Sequence, residues 1–191
     1  MKDVNVLTAN YMKSVWIENL GNQQFKMHDL PMQAQIAPLY GMQSMDVNGD
    51  QLPDLVLTGN DFGMETSQGR ADAFNGLVLL NNGNKQFKPI GFEESGFLVP
   101  GDARALTSVN VSGYNYLVST ENRKPLRFFK LNTDEMKYVK LSVSETSAIF
   151  YFSGNQKQKI EMTQGSSFLS QTSRSLSIPN GVTKITIYNQ Q

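Results

Sequence analysis

Short runs of apolar residues, each ended by turn-forming residues, recur along this chain. Residues 15–20 and 77–80 are rich in apolar and β-branched side chains, and Gly and Asn residues follow each run, as expected for a strand that enters a hairpin. In each case a returning strand follows the turn, a third strand follows a proline, and a fourth contains residues 55–58 or 117–120. No segment shows the sustained 3.6-residue period of a long helix. The pattern therefore predicts an all-β protein built from antiparallel sheets.

The predicted strands belong to an internal repeat. Residues 15–26 (VWIENLGNQQFK) align with residues 77–88 (LVLLNNGNKQFK) at an offset of 62, and residues 55–60 (LVLTGN) align with residues 117–122 (LVSTEN) at the same offset. A further copy of the last segment, VLTAN, occupies residues 6–10. Units of several short strands with periodic Gly and aromatic residues are typical of β-propeller blades.

We therefore predict two complete repeat units, at about 11–60 and 77–122, and the end of a third. Together they form a region of propeller-like blades over residues 1–130, followed by a small β domain over residues 131–191. In that second region, apolar and polar residues alternate and turn residues separate them. The strands predicted there cover residues 137–143, 147–152, 158–163, 167–171 and 183–188.

The loop at residues 46–54 has the oxygen pattern of a calcium site. Calcium takes six to eight oxygen ligands at about 2.3–2.6 Å. A loop that offers side-chain oxygens at alternate positions, with a backbone carbonyl at the seventh, is able to wrap such an ion. The predicted ligands are the side chains of four residues and one backbone carbonyl: Asp46, Asn48, Asp50 and Asp54, with the carbonyl of Leu52.

Two features separate this loop from a helix-loop-helix calcium site. The twelfth position is Leu57 instead of a bidentate Glu, and an apolar strand follows the loop. The sixth position, usually Gly, is Gln51, which would pay about 1 kcal/mol or more for a left-handed conformation. The alternative reading is a polar Asx turn. One calcium ion per chain is expected, because the aligned positions of the second repeat carry no carboxylate: Ser108, Asn110, Ser112 and Tyr116.

A long loop between the repeats, residues 60–76, is the second candidate site. It collects four charged residues, Asp61, Glu65, Arg70 and Asp72, and long loops in compact sheets are often functional. The candidate role is ligand contact. Two carboxylates about 5–10 Å apart also perform glycoside hydrolysis, which leaves a carbohydrate-active enzyme as the alternative. The simplest interpretation of these charged residues is that Arg70 and Asp72 form an ion pair with a structural role only.

Composition excludes several classes of function and of metal site. Seventeen basic and seventeen acidic residues give no net charge, so binding of nucleic acid is not expected. There is no cysteine, and the only histidine is His28, which leaves no thiolate site or multi-histidine metal site. No run of residues is long and apolar enough for a membrane span, and no signal peptide is present in this chain.

The sequence resembles the FG-GAP/VCBS repeat proteins, whose repeats carry calcium loops and build β-propellers like that of integrin α chains. The resemblance rests on residues 46–54 and on the Asn-x-Gly-Asn-x-x-Phe segments at 19–25 and 81–87. The tail resembles an ASPIC/UnbV domain through residues 164–171 (QGSSFLSQ) and Arg174. The combination is similar to large surface proteins of the Bacteroidetes type, which implies an extracellular, periplasmic or outer-membrane setting.

The function expected from these observations is a non-catalytic, Ca²⁺-binding β-repeat module that mediates adhesion or recognition of a protein or glycan. The partner is expected at the cell surface. Self-association through exposed blade edges is also expected, because unpaired strands seek partners. The alternative is a carbohydrate-active enzyme, or its accessory module, that uses loop 60–76.

Overall fold

The chain folds as an all-β protein, which confirms the predicted class. The structure is a computed structural model and describes residues 6–67, 69–132 and 137–189. Within these ranges there are fourteen strands, a four-residue helix α1 (Phe92–Ser95) and two single 3₁₀ turns, Met32–Ala34 and Ser153–Asn155. The strands are β1 (Val15–Gly21), β2 (Gln24–Asp29), β3 (Leu39–Met45), β4 (Asp54–Gly59), β5 (Leu77–Asn81), β6 (Phe87–Ile90), β7 (Ala103–Val111), β8 (Tyr114–Glu121), β9 (Arg127–Lys130), β10 (Tyr138–Lys140), β11 (Glu145–Phe152), β12 (Lys157–Glu161), β13 (Ser175–Ser177) and β14 (Val182–Asn189).

The strands form antiparallel sheets whose limits differ from those of the sequence repeats. The sheet orders are β1-β2, β3-β4-β5-β6, β7-β8-β9, β12-β11-β14 and β10-β13. The middle sheet, β3 to β6, thus joins the last two strands of one repeat to the first two of the next, with Leu55 opposite Leu79 and Leu57 opposite Leu77. A sequence repeat therefore does not form one sheet of its own: a 3₁₀ turn that follows Pro31 lies between β2 and β3, which belong to different sheets. The described residues do not close into a ring of sheets.

The middle sheet is buried on both faces. One face contributes Leu57 and Leu79, which pack with the partly buried Trp16 of the first sheet. The other face contributes Val56 and Val78, which pack in a second cluster with residues of the third sheet. Since successive side chains of a strand point to opposite faces, burial on both sides requires a continuous apolar run. This explains the sequence of β4 and β5.

Strands β3 and β7 lie side by side at the junction of the middle and third sheets. A Cβ atom added to Gly41 would lie 2.2 Å from Thr58 Oγ1 and 2.8 Å from Leu106 Cβ. The Gln43 side-chain amide donates a hydrogen bond of 2.9 Å to the Leu106 carbonyl. Only glycine at position 41 permits this approach of the two sheets.

The C-terminal region has its own apolar cluster, formed by residues between 139 and 187 and centred on the fully buried Ala148 and Phe150. The strand predicted at 167–171 is wrong. Leu169 has a φ of 45°, a left-handed conformation that ends extended structure, and Ser167 pairs with Ser170 in an isolated bridge. The strand of this part of the chain is β13, a few residues further on.

The Ser167 hydroxyl instead connects the tail to the repeats. It accepts a hydrogen bond from the Met42 backbone N–H at 2.9 Å and donates one to the Tyr40 carbonyl at 3.2 Å. Serine hydroxyls compete in this way for backbone groups that would otherwise form a ladder. The contact covers part of the free edge of β3, and the ring of Phe168 adds an edge-to-face contact with Tyr40 at 5.6 Å.

The buried middle sheet generates a stability prediction with an internal control. Leu79 is 0% exposed, whereas Ile17, its counterpart in the first repeat, is 59% exposed. We expect Leu79→Ala to lower the free energy of unfolding by about 2–5 kcal/mol, because it opens a cavity between two sheets. We expect Ile17→Ala to lower it by less than about 1 kcal/mol. Denaturant unfolding at low protein concentration measures both values, and equal losses would contradict the described packing.

Candidate functional site

The loop at residues 46–54 connects β3 to β4 and turns sharply at two points. Gly49 has a φ of 84° and Gln51 a φ of 71°, so Gln51 adopts the left-handed conformation that the sequence analysis considered. The Asp46 carboxylate spans this turn, accepting hydrogen bonds from the backbone N–H of Gly49 at 2.7 Å and of Gln51 at 2.8 Å. These two bonds offset the backbone strain at Gln51.

Asn48 and Asp50 form a second set of contacts at the exposed tip of the loop. The Asp50 carboxylate accepts hydrogen bonds from the Asn48 side-chain amide at 2.9 Å and from the Leu52 backbone N–H at 2.8 Å. The Asn48 side-chain oxygen in turn accepts one from the Asp50 N–H at 3.1 Å. These are Asx turns, the local structures that Asn and Asp favour.

Asp54 lies at the start of β4 and is fully buried. Its carboxylate accepts hydrogen bonds from the Val47 backbone N–H at 2.9 Å and from the Asn81 backbone N–H at 2.8 Å, so it joins the loop to the end of β5. Burial raises the pKa of Asp54, although these two N–H donors act in the opposite direction. The nearby charges of Asp50 and Asp46 raise the pKa of Asp54 further, because a like charge disfavours the ionised form.

The loop supplies the donor type that calcium requires, arranged as a hydrogen-bonded turn. Within the described ranges, no three Asp, Glu or His side chains are grouped closely enough to hold a metal ion. Each carboxylate oxygen of Asp46, Asp50 and Asp54 accepts one hydrogen bond and keeps a further lone pair. The loop thus supplies the oxygen donors and negative charge that calcium prefers, but its carboxylates do not converge on one point in this structure. Its observed contacts are those of the Asx-turn alternative.

The second repeat replaces this loop by a tight hairpin. Ser112 and Gly113, with φ values of 51° and 87°, connect β7 to β8, and Val111 pairs with Tyr114. The Asn110 side-chain oxygen accepts a hydrogen bond of 3.3 Å from the Gly113 N–H. The hairpin folds with no carboxylate at the aligned positions. A polar turn without acidic residues is therefore sufficient at this place in the repeat.

Loop 60–76 is closed at its base by Asn60, which is fully buried and has a φ of 80°. Its side-chain amide donates to the carbonyls of Phe74 at 2.6 Å and Gly101 at 3.0 Å, while its oxygen accepts from the Phe74 N–H at 2.9 Å. Asp61 and Ala71 then exchange both backbone hydrogen bonds. These bonds hold the two ends of the loop next to each other.

Of the four residues predicted to contact a ligand, Asp61 has a carboxylate that is already bonded to other groups of the protein. Its carboxylate accepts hydrogen bonds from the Tyr40 hydroxyl at 2.8 Å and from the Gly63 N–H at 2.9 Å. It also pairs with the Arg104 guanidinium at 3.2 Å. The Gly63 N–H, the Tyr40 hydroxyl and Arg104 together lower the pKa of Asp61.

Arg104 is shared between two acidic partners. Its guanidinium pairs with the buried Asp102 at 2.8 Å, donates to the Asn60 carbonyl at 2.7 Å, and lies 4.1 Å from the centre of the Tyr40 ring. A guanidinium suits such a site because it is planar and offers several donors. We call Tyr40, Asp61, Asp102 and Arg104 the ionic cluster. Its members are engaged with one another, as in a structural network.

The other three predicted contacts, Glu65, Arg70 and Asp72, are exposed. The guanidinium of Arg70 lies 5.1 Å from the centre of the Phe62 ring. The expected ion pair between Arg70 and Asp72 is wrong: it is not among the ion pairs of the described residues, where Asp61 pairs with Arg104 instead. The structure therefore does not gather the four charged residues of this loop into one group.

A cavity of about 540 Å³ lies between the repeats and the C-terminal region, beside the loop at 46–54. Hydroxyl and amide side chains from five strands line it: Ser44, Asn110, Tyr138, Gln158 and Ser175. Sequence reasoning missed this cavity, because it forms only where β3, the β7–β8 hairpin and the tail meet. The Ser-rich segment at 166–177 was the one signal in the sequence.

Comparison of the chain with protein-family models and with curated proteins finds no match. The resemblances to FG-GAP/VCBS repeats and to an ASPIC/UnbV domain therefore stay predictions. None of the helices in the described parts of the chain has the length and apolar character needed to cross a membrane.

The contacts of Asp61 predict unequal effects of mutations within loop 60–76. We expect Asp61→Ala to lower the midpoint of thermal unfolding, because the Tyr40 hydroxyl and the Gly63 N–H lose their acceptor and Arg104 loses one of its two acidic partners. Glu65→Ala and Asp72→Ala are the matched controls and should leave the midpoint unchanged. Thermal melts followed by circular dichroism compare the three variants. Equal midpoints for all three would show that Asp61 has no structural role.

Proposed function

We propose that this chain is a non-catalytic, calcium-binding β-repeat module of an exported or cell-surface protein, acting in adhesion or in recognition of a protein or glycan. The loop at residues 46–54 carries the proposal. Three carboxylates and one carboxamide, all oxygen donors, lie within nine residues of one turn, and the charges of Asp46 and Asp50 already act on Asp54.

The sheet arrangement supports the finer proposal of propeller-like blades. The middle sheet is a four-stranded antiparallel meander that packs face to face between the first and third sheets. Strands β3 and β7 of neighbouring sheets lie side by side through Gly41 and Leu106. A stack of meander sheets with adjacent inner strands is the local geometry of propeller blades.

In this proposal the ion would be held by the side chains of Asp46, Asn48, Asp50 and Asp54 and by the carbonyl of Leu52. A bound cation relieves the repulsion among the three carboxylates. Because Asp54 also accepts the Asn81 N–H, ordering of the loop is transmitted to the end of β5. The second repeat forms its hairpin without carboxylates, so the ion stabilises the fold and does not create it.

The cavity beside the loop supports a recognition role. Its volume of about 540 Å³ falls within the range of about 300–1,000 Å³ that is typical of ligand pockets. Asp46 and Leu52 contribute to its wall. A calcium ion in the loop would therefore fix one side of the cavity.

No observation favours the alternative, glycoside hydrolysis at loop 60–76. A general acid in such enzymes needs a raised pKa, whereas hydrogen bonds from Gly63 and Tyr40 lower the pKa of Asp61.

A glycan array with the wild-type chain separates recognition from hydrolysis. Cleavage of an arrayed glycan that is lost in Asp61→Ala or Glu65→Ala would favour the enzyme.

Calcium titration tests the proposal directly. Isothermal titration calorimetry on the chelator-stripped chain should show one calcium site, with weaker binding of magnesium, because magnesium demands a tighter octahedron of ligands. Asp46→Ala and Asp50→Ala should abolish this site, and Asp72→Ala, an exposed carboxylate in the other loop, should retain it. Unchanged calcium binding in both loop variants would contradict the assignment of this loop as a calcium site.

Calcium should also raise thermal stability by mass action. When the free calcium concentration is one hundred times the dissociation constant, bound calcium raises the free energy of unfolding by about 2.7 kcal/mol. We expect a cooperative unfolding transition both with chelator and with calcium, at a higher temperature with calcium. A chain unfolded in chelator would show instead that the ion organises the fold.

A further inference from the structure

The cavity beside the loop at 46–54 has walls from three separate parts of the chain. Strand β3 forms one wall, the β7–β8 hairpin forms a second, and the C-terminal region from β10 to β13 forms a third. Hydrogen bonds hold the third wall in place. The Ser167 hydroxyl bonds to the backbone of β3, and the Ser170 hydroxyl donates to the Leu106 carbonyl of β7 at 3.4 Å. The cavity is therefore enclosed by contacts within this one chain.

Several polar side chains of these walls have no partner inside the protein. Four of them make no hydrogen bond to another residue of the described ranges: Ser44, Ser108, Gln158 and Ser177. They belong to β3, β7, β12 and β13, so all three walls contribute. A serine hydroxyl and a carboxamide each offer both a donor and an acceptor. The cavity thus presents free donors and acceptors from several directions.

The Tyr138 hydroxyl adds a buried polar group to the third wall. Burial raises the pKa of Tyr138, and the nearby Asn110 side chain acts in the opposite direction. Within the part of the chain that the structure describes, this hydroxyl nevertheless has no partner in hydrogen-bonding geometry. Buried hydroxyls in proteins are nearly always paired. A further polar group is therefore expected at this wall.

The charged residues of the lining do not favour a charged ligand. Lys159 forms an ion pair with Glu161, and the Asp46 carboxylate accepts the backbone N–H groups of Gly49 and Gln51. The one cationic side chain of the lining is thus already paired, and the charge that remains is negative, which repels an anion. Both acidic side chains also have partners, so neither is free to bind a cation. The lining suits an uncharged ligand.

Apolar side chains share the lining with these polar groups: Met45, Leu131, Ile160 and Leu176. A carbohydrate matches this mixture, because each sugar ring carries hydroxyl groups around its edge and C–H groups on its faces. The volume of about 540 Å³ lies in the range of pockets that bind small molecules. A peptide added as a strand fits less well, since it would need the free backbone groups of β3. Ser167 already occupies the Met42 N–H and the Tyr40 carbonyl there.

We propose that this cavity is a binding site for an uncharged carbohydrate, whose hydroxyl groups pair with the free side chains of the three walls while its C–H groups contact the apolar ones. The proposal rests on the recognition role proposed above and narrows it to one ligand class and one site. The site is distinct from loop 60–76, where the sequence predicted ligand contact. It does not require calcium, because the four free side chains lie outside the loop at 46–54.

A glycan array probed with the chain in chelator tests the ligand class. The array carries neutral oligosaccharides of glucose, galactose, mannose and xylose, and a charged set of sialylated, uronate-containing and sulfated glycans. We expect binding to neutral glycans and no binding to the charged set. Binding confined to charged glycans, or no binding to any neutral glycan, would overturn the proposal.

Two variants on different walls test the site. Ser108→Ala and Gln158→Leu each remove one polar group, and each should weaken binding of the neutral glycan selected on the array by about three- to tenfold, as expected for one neutral hydrogen bond. Gln156→Leu is the matched control, since Gln156 is exposed and lies outside the cavity, and it should bind as the wild type does. Isothermal titration calorimetry measures the affinities, and thermal melts check that each variant folds. Wild-type affinity in either cavity variant would overturn the proposal.

Calcium titration of the same samples separates this proposal from the calcium site. Ser108→Ala and Gln158→Leu should bind calcium as the wild type does, because neither residue belongs to the loop at 46–54. A chain that binds calcium but no neutral glycan would overturn the carbohydrate site and leave the calcium site standing. A chain that binds a neutral glycan in this cavity but no calcium would support the carbohydrate site and contradict the calcium assignment.

Discussion

Burial of both faces of the middle sheet is the constraint on which the rest of this structure depends. Val56, Leu57 and Leu79 are at most 1% exposed, although neighbouring residues of β4 point to opposite sides. Neither face is covered by the sheet's own strands, so the first and third sheets are needed to exclude water. The sheet in turn determines where both candidate loops lie.

Both loops are anchored on β4 by buried polar side chains. Asp54 begins this strand and accepts the backbone N–H groups of Val47 and Asn81, while Asn60 follows its last residue and bonds to Phe74 and Gly101. Buried polar groups are costly unless they are paired, and each of these is paired across a long sequence distance. The same strand therefore holds the proposed calcium loop at one end and the ionic cluster at the other.

Features that depend on neighbouring residues could be predicted from the sequence. The strands of the repeats and the turn at residues 46–54 depend on residues close in sequence, so propensity and spacing were sufficient to predict them. Pairing between distant segments was not readable. The joining of β4 to β5, the capture of Asp61 by Arg104 and the docking of Ser167 on β3 depend on which sheets come together, and no local pattern encodes that choice. The strand predicted at 167–171 failed for this reason: its hydroxyls bind another segment.

Native-state hydrogen exchange of individual amides tests the central role of the middle sheet most directly. An amide whose hydrogen bond breaks only when the whole protein unfolds has an opening free energy equal to the free energy of global unfolding. An amide in a less well packed element exchanges through local opening, which has a smaller free energy. Our account predicts that the ladder amides between β4 and β5 exchange only through global unfolding. Those of β1 and β2, which have one face exposed, should exchange through a smaller opening. Equal protection of the two sheets, or faster exchange in β4 and β5 than in β1 and β2, would contradict the account.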